Sequence, residues 1–347
     1  PREKEAFGLD PIAFSTWTKP MIAAVNRPPK NARFKIADKR VTEFVQNVDG
    51  RSVDELALYR DTLEAISKNV EPAQTNQPIS LTMEIQKAPI TTASVNDLGI
   101  TDKLGEGYST YKGSPKNRKK NIQNGVRLLN GLLIAPGDTF SLLEALRPFT
   151  IENGYLPELV IKGDKIEPEL GGGLCQIGTT TFRAVMHAGL PILERSNHSL
   201  MVSYYNDPIN KNPGTYATIY EPAPDFKFLN DTGYYLLLSA ENLTDKQQLR
   251  FTFWGTSDGR KGTYSPPIIL KRFPVGEPIM TESVDLKPGE EKCQEAHAGA
   301  NATFTYTIKH PDGTQTDKIF NSHYRPLPKM CLIGVAEKEQ IETEPTP

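Results

Sequence analysis

The run Gly171-Gly172-Gly173-Leu174-Cys175-Gln176 constrains this chain more than any other segment. Short extended pieces from Glu158 onward break at the three glycines, where no side chain blocks close approach to the backbone. A helical pattern follows, with Leu174, Ile177, Thr181, Ala184 or Val185, and Ala188 on one face and Gly189 closing it. Cys175 is thereby expected at a helix N-terminus, where the macrodipole and free N–H groups favour thiolate over thiol. The amides of Gly172, Gly173, Leu174 and Cys175 are candidates to receive an oxyanion.

A nucleophilic thiol needs a base, and His198 stands 23 residues further on, just before an expected strand at 200–205. A helix-borne cysteine against a strand-borne histidine is the arrangement of papain-like enzymes. The imidazole's orienting partner is open among Asp207, Asp225 and Asn197. Against this stand plainer readings: a lone cysteine is usually a small buried hydrophobe, and a glycine run is usually a turn. His187, beside Gly189, suits a helix C-terminus by charge, while His297, His310 and His323 lack metal-ligand spacing and receive no role. No metal and no organic cofactor is expected.

A second feature is the cluster Lys112, Lys116, Arg118, Lys119 and Lys120. Ser114 is expected to cap the helix that follows and Pro115 to start it, with Ile122, Val126, Leu129 and Leu133 on its apolar face. Cations at a helix N-terminus are disfavoured by about a few tenths of a kcal/mol each. An anionic ligand would offset that cost.

The remaining chain reads as α+β and multidomain. Residues 1–90 hold two amphipathic helices, 10–25 and 53–69, around a strand pair, 32–36 and 40–45, joined through Asp38. Residues 91–107 continue a polar stretch from Lys87 and read as a linker. Residues 108–256 are helical first and then β, with strands expected at 192–195, 200–205, 217–220, 234–240 and 249–254. A boundary is expected at 257–267, a β-module at 268–335, and a disordered acidic tail at 336–347. With 40 Lys plus Arg against 42 Asp plus Glu, the net charge is −2 and nucleic acid is not an expected partner. No apolar run approaches the roughly 18 residues of a membrane span. The chain begins at Pro1 rather than at methionine, which is compatible with a removed leader or anchor.

Cys293 and Cys331 flank a hairpin pattern, 302–309 and 315–320, around the turn 310–313. A disulfide there would stabilise the module by ~3 to 4 kcal/mol and belongs to an oxidising, extracytoplasmic compartment. Cys175 is then the odd thiol.

Tyr108 to Gly113, Asn121-Ile122, Leu128 to Gly131, Pro136 to Ser141, Gly171 to Gln176, Asn197-His198-Ser199 and Val202-Ser203-Tyr204 together resemble the VanW family, over about 108–254. The N-terminal unit is similar to the peptidoglycan-binding domain that often precedes VanW, and the C-terminal module to the glycine-patterned wall-associated unit that often follows it. The resemblance implies a bacterial envelope protein, secreted or anchored. It further implies L,D-transpeptidase chemistry, in which Cys175 attacks a donor stem peptide, D-alanine leaves, and an acceptor amine resolves the thioester. Cys175 and His198 carry over as the reacting pair, with Lys112, Arg118, Lys119, Gln176, Asn197, Ser199 and Tyr204 about the peptidoglycan stem. A wall-peptide hydrolase and a non-catalytic wall-binding protein are the alternatives. One departure stands out: the aspartate frequent before Ala217-Thr218 is here Tyr216, which leaves Asp207 or Asp225 for its role. Oligomeric state is left open.

Overall fold

The computed structural model describes residues 8–336 except 38–39, 69–77, 90, 92–97, 163–164 and 285. The acidic tail, apart from Ala336, and the Asp38 connection lie outside these residues. The chain divides into two compact units, Pro1–Leu98 and Gly99–Pro347.

The first unit contains α1 (Pro11–Val25), β1 (Arg33–Ala37), β2 (Arg40–Val45), β3 (Gly50–Val53), α2 (Glu55–Lys68) and β4 (Met83–Gln86). Asp10 caps α1 by accepting the Ala13 N–H at 2.8 Å. Phe14, Thr18 and Ile22 recur at four-residue spacing, so one face of α1 is buried and packs with Val53 and Leu58. β1 pairs with β2 and β3 with β4, each antiparallel. Both helices and the strand pair match the sequence expectation.

The second unit runs β5 (Asp102–Thr110), α3 (Lys116–Leu129), β6 (Leu132–Ile134), β7 (Thr139–Ser141), α4 (Leu142–Leu146), β8 (Pro157–Lys162), β9 (Lys165–Leu170), α5 (Leu174–Ala188), β10 (Ile192–Glu194), β11 (Lys227–Leu229), β12 (Leu236–Leu243) and β13 (Gln248–Gly255). Then come β14 (Lys261–Tyr264), β15 (Ile268–Phe273), β16 (Ile279–Ser283), β17 (Glu291–Gln294), β18 (Gly299–Lys309), β19 (Gln315–Tyr324) and β20 (Met330–Gly334). The main sheet has the order β5-β13-β12-β6, and a smaller one the order β10-β11-β7. β18 pairs with β14, β15 and β19 in a third sheet. The polar residues expected as a linker at 91–107 are therefore partly the edge strand β5, and the expected boundary at 257–267 contains β14. Thr, Ser and Gly there mark strands that must lie close to a helix, and polarity alone does not reveal this.

That helix is α5, which is buried on nearly every side. A Cβ added at Gly105 would lie 2.2 Å from the Ala188 nitrogen, and one at Gly107 2.3 Å from the Thr180 carbonyl oxygen. Both residues project from the same face of β5, so the helix backbone rests on the strand itself. Their cross-strand partners Phe253 and Phe251 are fully buried beside this slot. From the C-terminal side Gly262 approaches equally closely, 1.9 Å separating its hypothetical Cβ from the Met186 oxygen. Phe182 projects into the common core against Phe226, Phe304 and Phe320, with ring centroids 5.6, 6.2 and 5.4 Å away. The C-terminal sheet thus shares one core with the helix-bearing half.

Two expected strands are absent. At 200–205 the Tyr205 N–H closes a turn on the Val202 carbonyl, and Arg183 Nη2 bonds the Tyr205 carbonyl at 2.5 Å. At 217–220 the Ala217 N–H and C=O both bond the Thr179 hydroxyl. Side chains of α5 thus take up some of these backbone groups, and turns and isolated bridges take up others, in place of a continuous neighbouring strand.

Cys293 and Cys331 form the expected disulfide, although not across the β18–β19 hairpin. They face each other between β17 and β20 in a separate sheet of order β16-β20-β17. The closed loop spans a separation of 38 residues, and the chain-entropy relation then gives about 4 kcal/mol. Two outcomes are expected in urea unfolding. Cys293→Ser/Cys331→Ser lowers the stability of the second unit by about 4 kcal/mol. Gly107→Ala, which drives a methyl into the α5 backbone, costs about 3 kcal/mol or more.

Candidate functional site

The glycine run becomes a tight turn because Gly171 and Gly173 take positive φ, 84° and 111°. The Leu174 N–H closes this turn on the Gly171 carbonyl at 3.1 Å, and buried Asn121 donates to the Gly172 carbonyl at 3.1 Å. Gly173 has a further reason to lack a side chain: a Cβ there would lie 2.9 Å from Arg118 Cγ on α3. Helix α3 begins one residue later than expected, with Pro115 at its cap position. Its Arg118 N–H is met by Glu158 of β8 at 3.1 Å. Ser114 does not cap the helix, because its hydroxyl accepts from Arg118 Nη1 at 2.6 Å.

Cys175 stands in the first turn of α5, half-buried, in a cleft of about 640 Å³. Its Sγ lies 2.9 Å from Thr218 Oγ1 and 3.6 Å from the Ile219 carbonyl oxygen. Thr218 is held there by the bridge of its N–H to the Ser196 carbonyl at 2.9 Å. The N–H groups of Gly172, Gly173 and Cys175 donate to no protein group among the described residues, whereas that of Leu174 is consumed by the turn. Leu174 therefore drops out of the expected oxyanion set.

His198 lines the same cleft. Its Nδ1 lies 3.2 Å from the Leu200 carbonyl oxygen and 3.3 Å from the Leu200 nitrogen, so Nε2 is the nitrogen left for proton transfer. Burial pushes its pKa down from the ordinary 6.5, and the neighbouring His297 and Arg118 act in the same direction, while the Leu200 carbonyl opposes them. The neutral imidazole is thus the resting form at neutral pH. No hydrogen bond joins His198 to Cys175 among the described residues.

Neither carboxylate proposed to orient His198 touches it. Asp207 is fully buried and accepts the Ile209 N–H and the Tyr264 hydroxyl, each at 2.9 Å. Asp225 accepts the Ser141 hydroxyl at 2.6 Å and the Leu143 N–H at 2.9 Å. Asp207 closes the turn that follows it and ties it to β14, and Asp225 ties its own segment to the start of α4. Tyr216, where the resemblance leads one to expect an aspartate, is buried between the Tyr205 and Tyr324 rings with its hydroxyl on Asn206 and the Val202 carbonyl. Asn197 lines the cleft but uses its amide on the His198 and His323 carbonyls, at 2.9 and 2.7 Å.

The basic cluster separates in space. Lys112, Lys116, Lys119 and Lys120 do not line the cleft, while Arg118 does and is only 9 % exposed. Its Nη1 donates to Gln176 Oε1 at 2.9 Å, its Nη2 to the Tyr205 hydroxyl at 3.0 Å, and its plane covers the Tyr204 ring at 4.9 Å. Gln176 is fully buried and acts as a strut, its Nε2 reaching Ser109 at 3.1 Å. Burial opposes the charge of Arg118, but Tyr205, Tyr204 and Cys175 more than offset it, and the guanidinium is held cationic beside the thiol. Ser199 and Tyr204 also line the cleft, and both are exposed. Sequence reasoning missed Thr218, the thiol's nearest partner, and another part of the cleft lining, where the Tyr220 hydroxyl donates to the Glu169 carboxylate at 3.0 Å. No local pattern marks a hydroxyl 43 residues from the cysteine it meets. Among the described residues no three His, Cys, Asp or Glu side chains gather as a metal set, and no helix is long and apolar enough to cross a membrane.

Residues 117–254 match the family model described as VanW like protein. Over 141 residues the chain is 31% identical to a Bacillus subtilis (strain 168) protein named Uncharacterized protein YoaR, covering 41% of this chain and 45% of that one. Over 118 residues it is 35% identical to the Vancomycin B-type resistance protein VanW of Enterococcus faecalis (strain ATCC 700802 / V583), covering 34% of this chain and 42% of the other. The chain thus spans less than half the length of each of these relatives. Among solved structures it is similar to the IgA1 protease G5 domain, at 17% identity and a TM-score of 0.15, over 24% of this chain and all of that one.

The depressed His198 pKa has a consequence for stability. Its contribution is fully present above pH 6.5, the unfolded value, and is lost as the pH falls through the lower native value. Melting curves of the parent and His198→Asn are expected to converge as the pH is lowered from 7 to 5. A constant gap across that range would show that His198 is not desolvated.

Proposed function

The chain belongs to the VanW-like family through residues 117–254, and from that premise we propose that its cleft performs acyl transfer on cell-wall peptides at the bacterial envelope. One relative is named for vancomycin resistance, and the cystine between Cys293 and Cys331 fits an oxidising, extracytoplasmic location. The observation that carries the reading is Cys175 itself: a half-buried thiol on a helix N-terminus, inside a cleft that also contains a neutral imidazole, an arginine and free backbone N–H groups.

In the proposed reaction the Cys175 thiol gives its proton to Nε2 of the neutral His198, the resulting thiolate attacks a peptide carbonyl of a donor stem, and the new oxyanion accepts from the Gly173 and Cys175 amides. The carbon–sulfur bond forms, the carbon–nitrogen bond breaks, and the leaving amine takes its proton from His198. An acceptor amine then attacks the thioester, gives its proton to His198 Nε2, and releases the thiolate with a new amide bond. Thr218 is the partner the thiol leaves on ionising. Water in place of the amine makes the same centre a hydrolase.

One contact favours a second reading, wall binding without chemistry. The Cys175 thiol lies against Thr218 and the Ile219 carbonyl, and it has no hydrogen bond with His198 among the described residues. A thiol kept as a donor to a carbonyl would serve packing and leave Arg118 to hold a ligand carboxylate.

Intact-protein mass spectrometry after incubation with a purified disaccharide tetrapeptide separates these readings. Acyl transfer requires an adduct on Cys175, absent in Cys175→Ala and discharged into a dimer by an acceptor stem; discharge to free peptide alone means hydrolysis. His198→Ala is expected to slow adduct formation about 10²-fold or more. No adduct, with peptidoglycan still bound, would replace the enzyme reading by the binding one.

A further inference from the structure

A second groove of about 500 Å³ adjoins the first, and Val202 and Tyr204 line both. One wall is the loop carrying Lys211, and the other comes from the C-terminal module, with Ile269 and Arg272 of β15 and His297 before β18. Its charge is one-sided: Lys211 and Arg272 line it, and no Asp or Glu among the described residues does. The Arg272 guanidinium makes no ion pair or hydrogen bond among the described residues, and the residue is exposed. Lys211 occupies a positive φ of 64°, unusual for a side-chain-bearing residue, and is held there by its N–H on the Asp207 carbonyl. His297 Nδ1 is engaged by the Met201 carbonyl at 3.1 Å, which leaves its Nε2 for a ligand.

We propose that this groove is a second binding subsite, which receives the free carboxylate of a short peptide. A guanidinium without a protein partner matches a carboxylate in a two-pronged hydrogen bond, and Lys211 adds a point charge. The occupant is a peptide rather than a polyanion because Val202 and Ile269 supply apolar contact for side chains, whereas a polyanion is recognised by an open field of charge. Tyr204 forms the shared rim, its ring fixed by the Arg118 guanidinium, and a peptide lying across it would run from the groove toward Cys175. The assignment deepens the acyl-transfer reading by giving the second peptide a seat, and it rests on that reading for the peptide's role. Carboxylate binding itself requires no chemistry.

The test uses the full chain as Cys175→Ala, labelled with 13C-histidine, so it proceeds whether or not acyl transfer occurs. The probes are acetyl-dialanine as the free acid and as the C-terminal amide, with the His297 signal assigned through His297→Asn. The expected result is a saturable shift of His297 with the acid, the amide needing at least tenfold higher concentration. Arg272→Gln/Lys211→Gln should weaken the acid at least fivefold and leave the melting temperature unchanged. In chains that retain Cys175, the same pair of substitutions should leave the rate of thiol alkylation unchanged. Equal titration by acid and amide would overturn the proposal, as would an unchanged affinity in the double variant. So would a shift confined to His198 and lost in Arg118→Gln, which would put the carboxylate in the first cleft, or tighter binding of inorganic polyphosphate, which would mark a polyanion surface.

Discussion

Everything in the second unit depends on how closely its strands approach the backbone of α5. Gly105 and Gly107 on one side and Gly262 on the other bring β5 and β14 to distances that no side chain would permit. A helix held this way has little freedom to slide, since any shift drives backbone against backbone. The reactive end of α5 inherits that rigidity, and Cys175 is placed by a packing decision made up to four helical turns away.

Charge plays an unusual part in the same architecture. Three buried or half-buried arginines, 118, 183 and 195, bond mainly to carbonyls, hydroxyls and an amide rather than to carboxylates. Arg183 bonds the Tyr108, Tyr205 and Asn206 carbonyls, and Arg195 those of Gly214 and Tyr216. Burial lowers the pKa of Arg183, and pushes that of Arg195 down to about 10, yet both stay cationic at neutral pH. Arg183 and Arg195 satisfy carbonyls of the irregular 205–216 stretch that would otherwise be buried without donors. Arg118 differs because it opens onto the cleft, and there the same chemistry becomes available to a ligand.

The C-terminal module takes part in the site as well as in the core. Asn197 bonds the His323 carbonyl, Tyr264 bonds Asp207, and His297 approaches His198 closely enough to disfavour its cation. Tyr216, at the position where the resemblance leads us to expect an aspartate, fills a cage with Tyr205 and Tyr324. An aspartate there would need partners that this aromatic cluster does not contain.

Much of this was legible from residue order alone. Periodicity located α1, α2, α3 and α5 to within a few residues, since a buried helical face leaves a repeat that needs no partner to be recognised. The glycine run, the αL cap at Gly189 and the β18–β19 turn were equally local, and the pairing of Cys293 with Cys331 followed from there being two thiols in one small module. Tertiary structure decided what depends on partners distant in sequence. It turned 200–205 and 217–220 away from strand, because the donors and acceptors that meet them lie on α5 and on scattered side chains and turns rather than along one neighbouring strand. It took Asp207 and Asp225 away from His198, made Gln176 a strut, singled out Arg118 among five cations, and set Thr218 against the thiol. A hydroxyl, a carboxylate or a guanidinium looks the same in sequence whether it faces a cleft or a carbonyl; only the folded chain supplies the neighbour that distinguishes them.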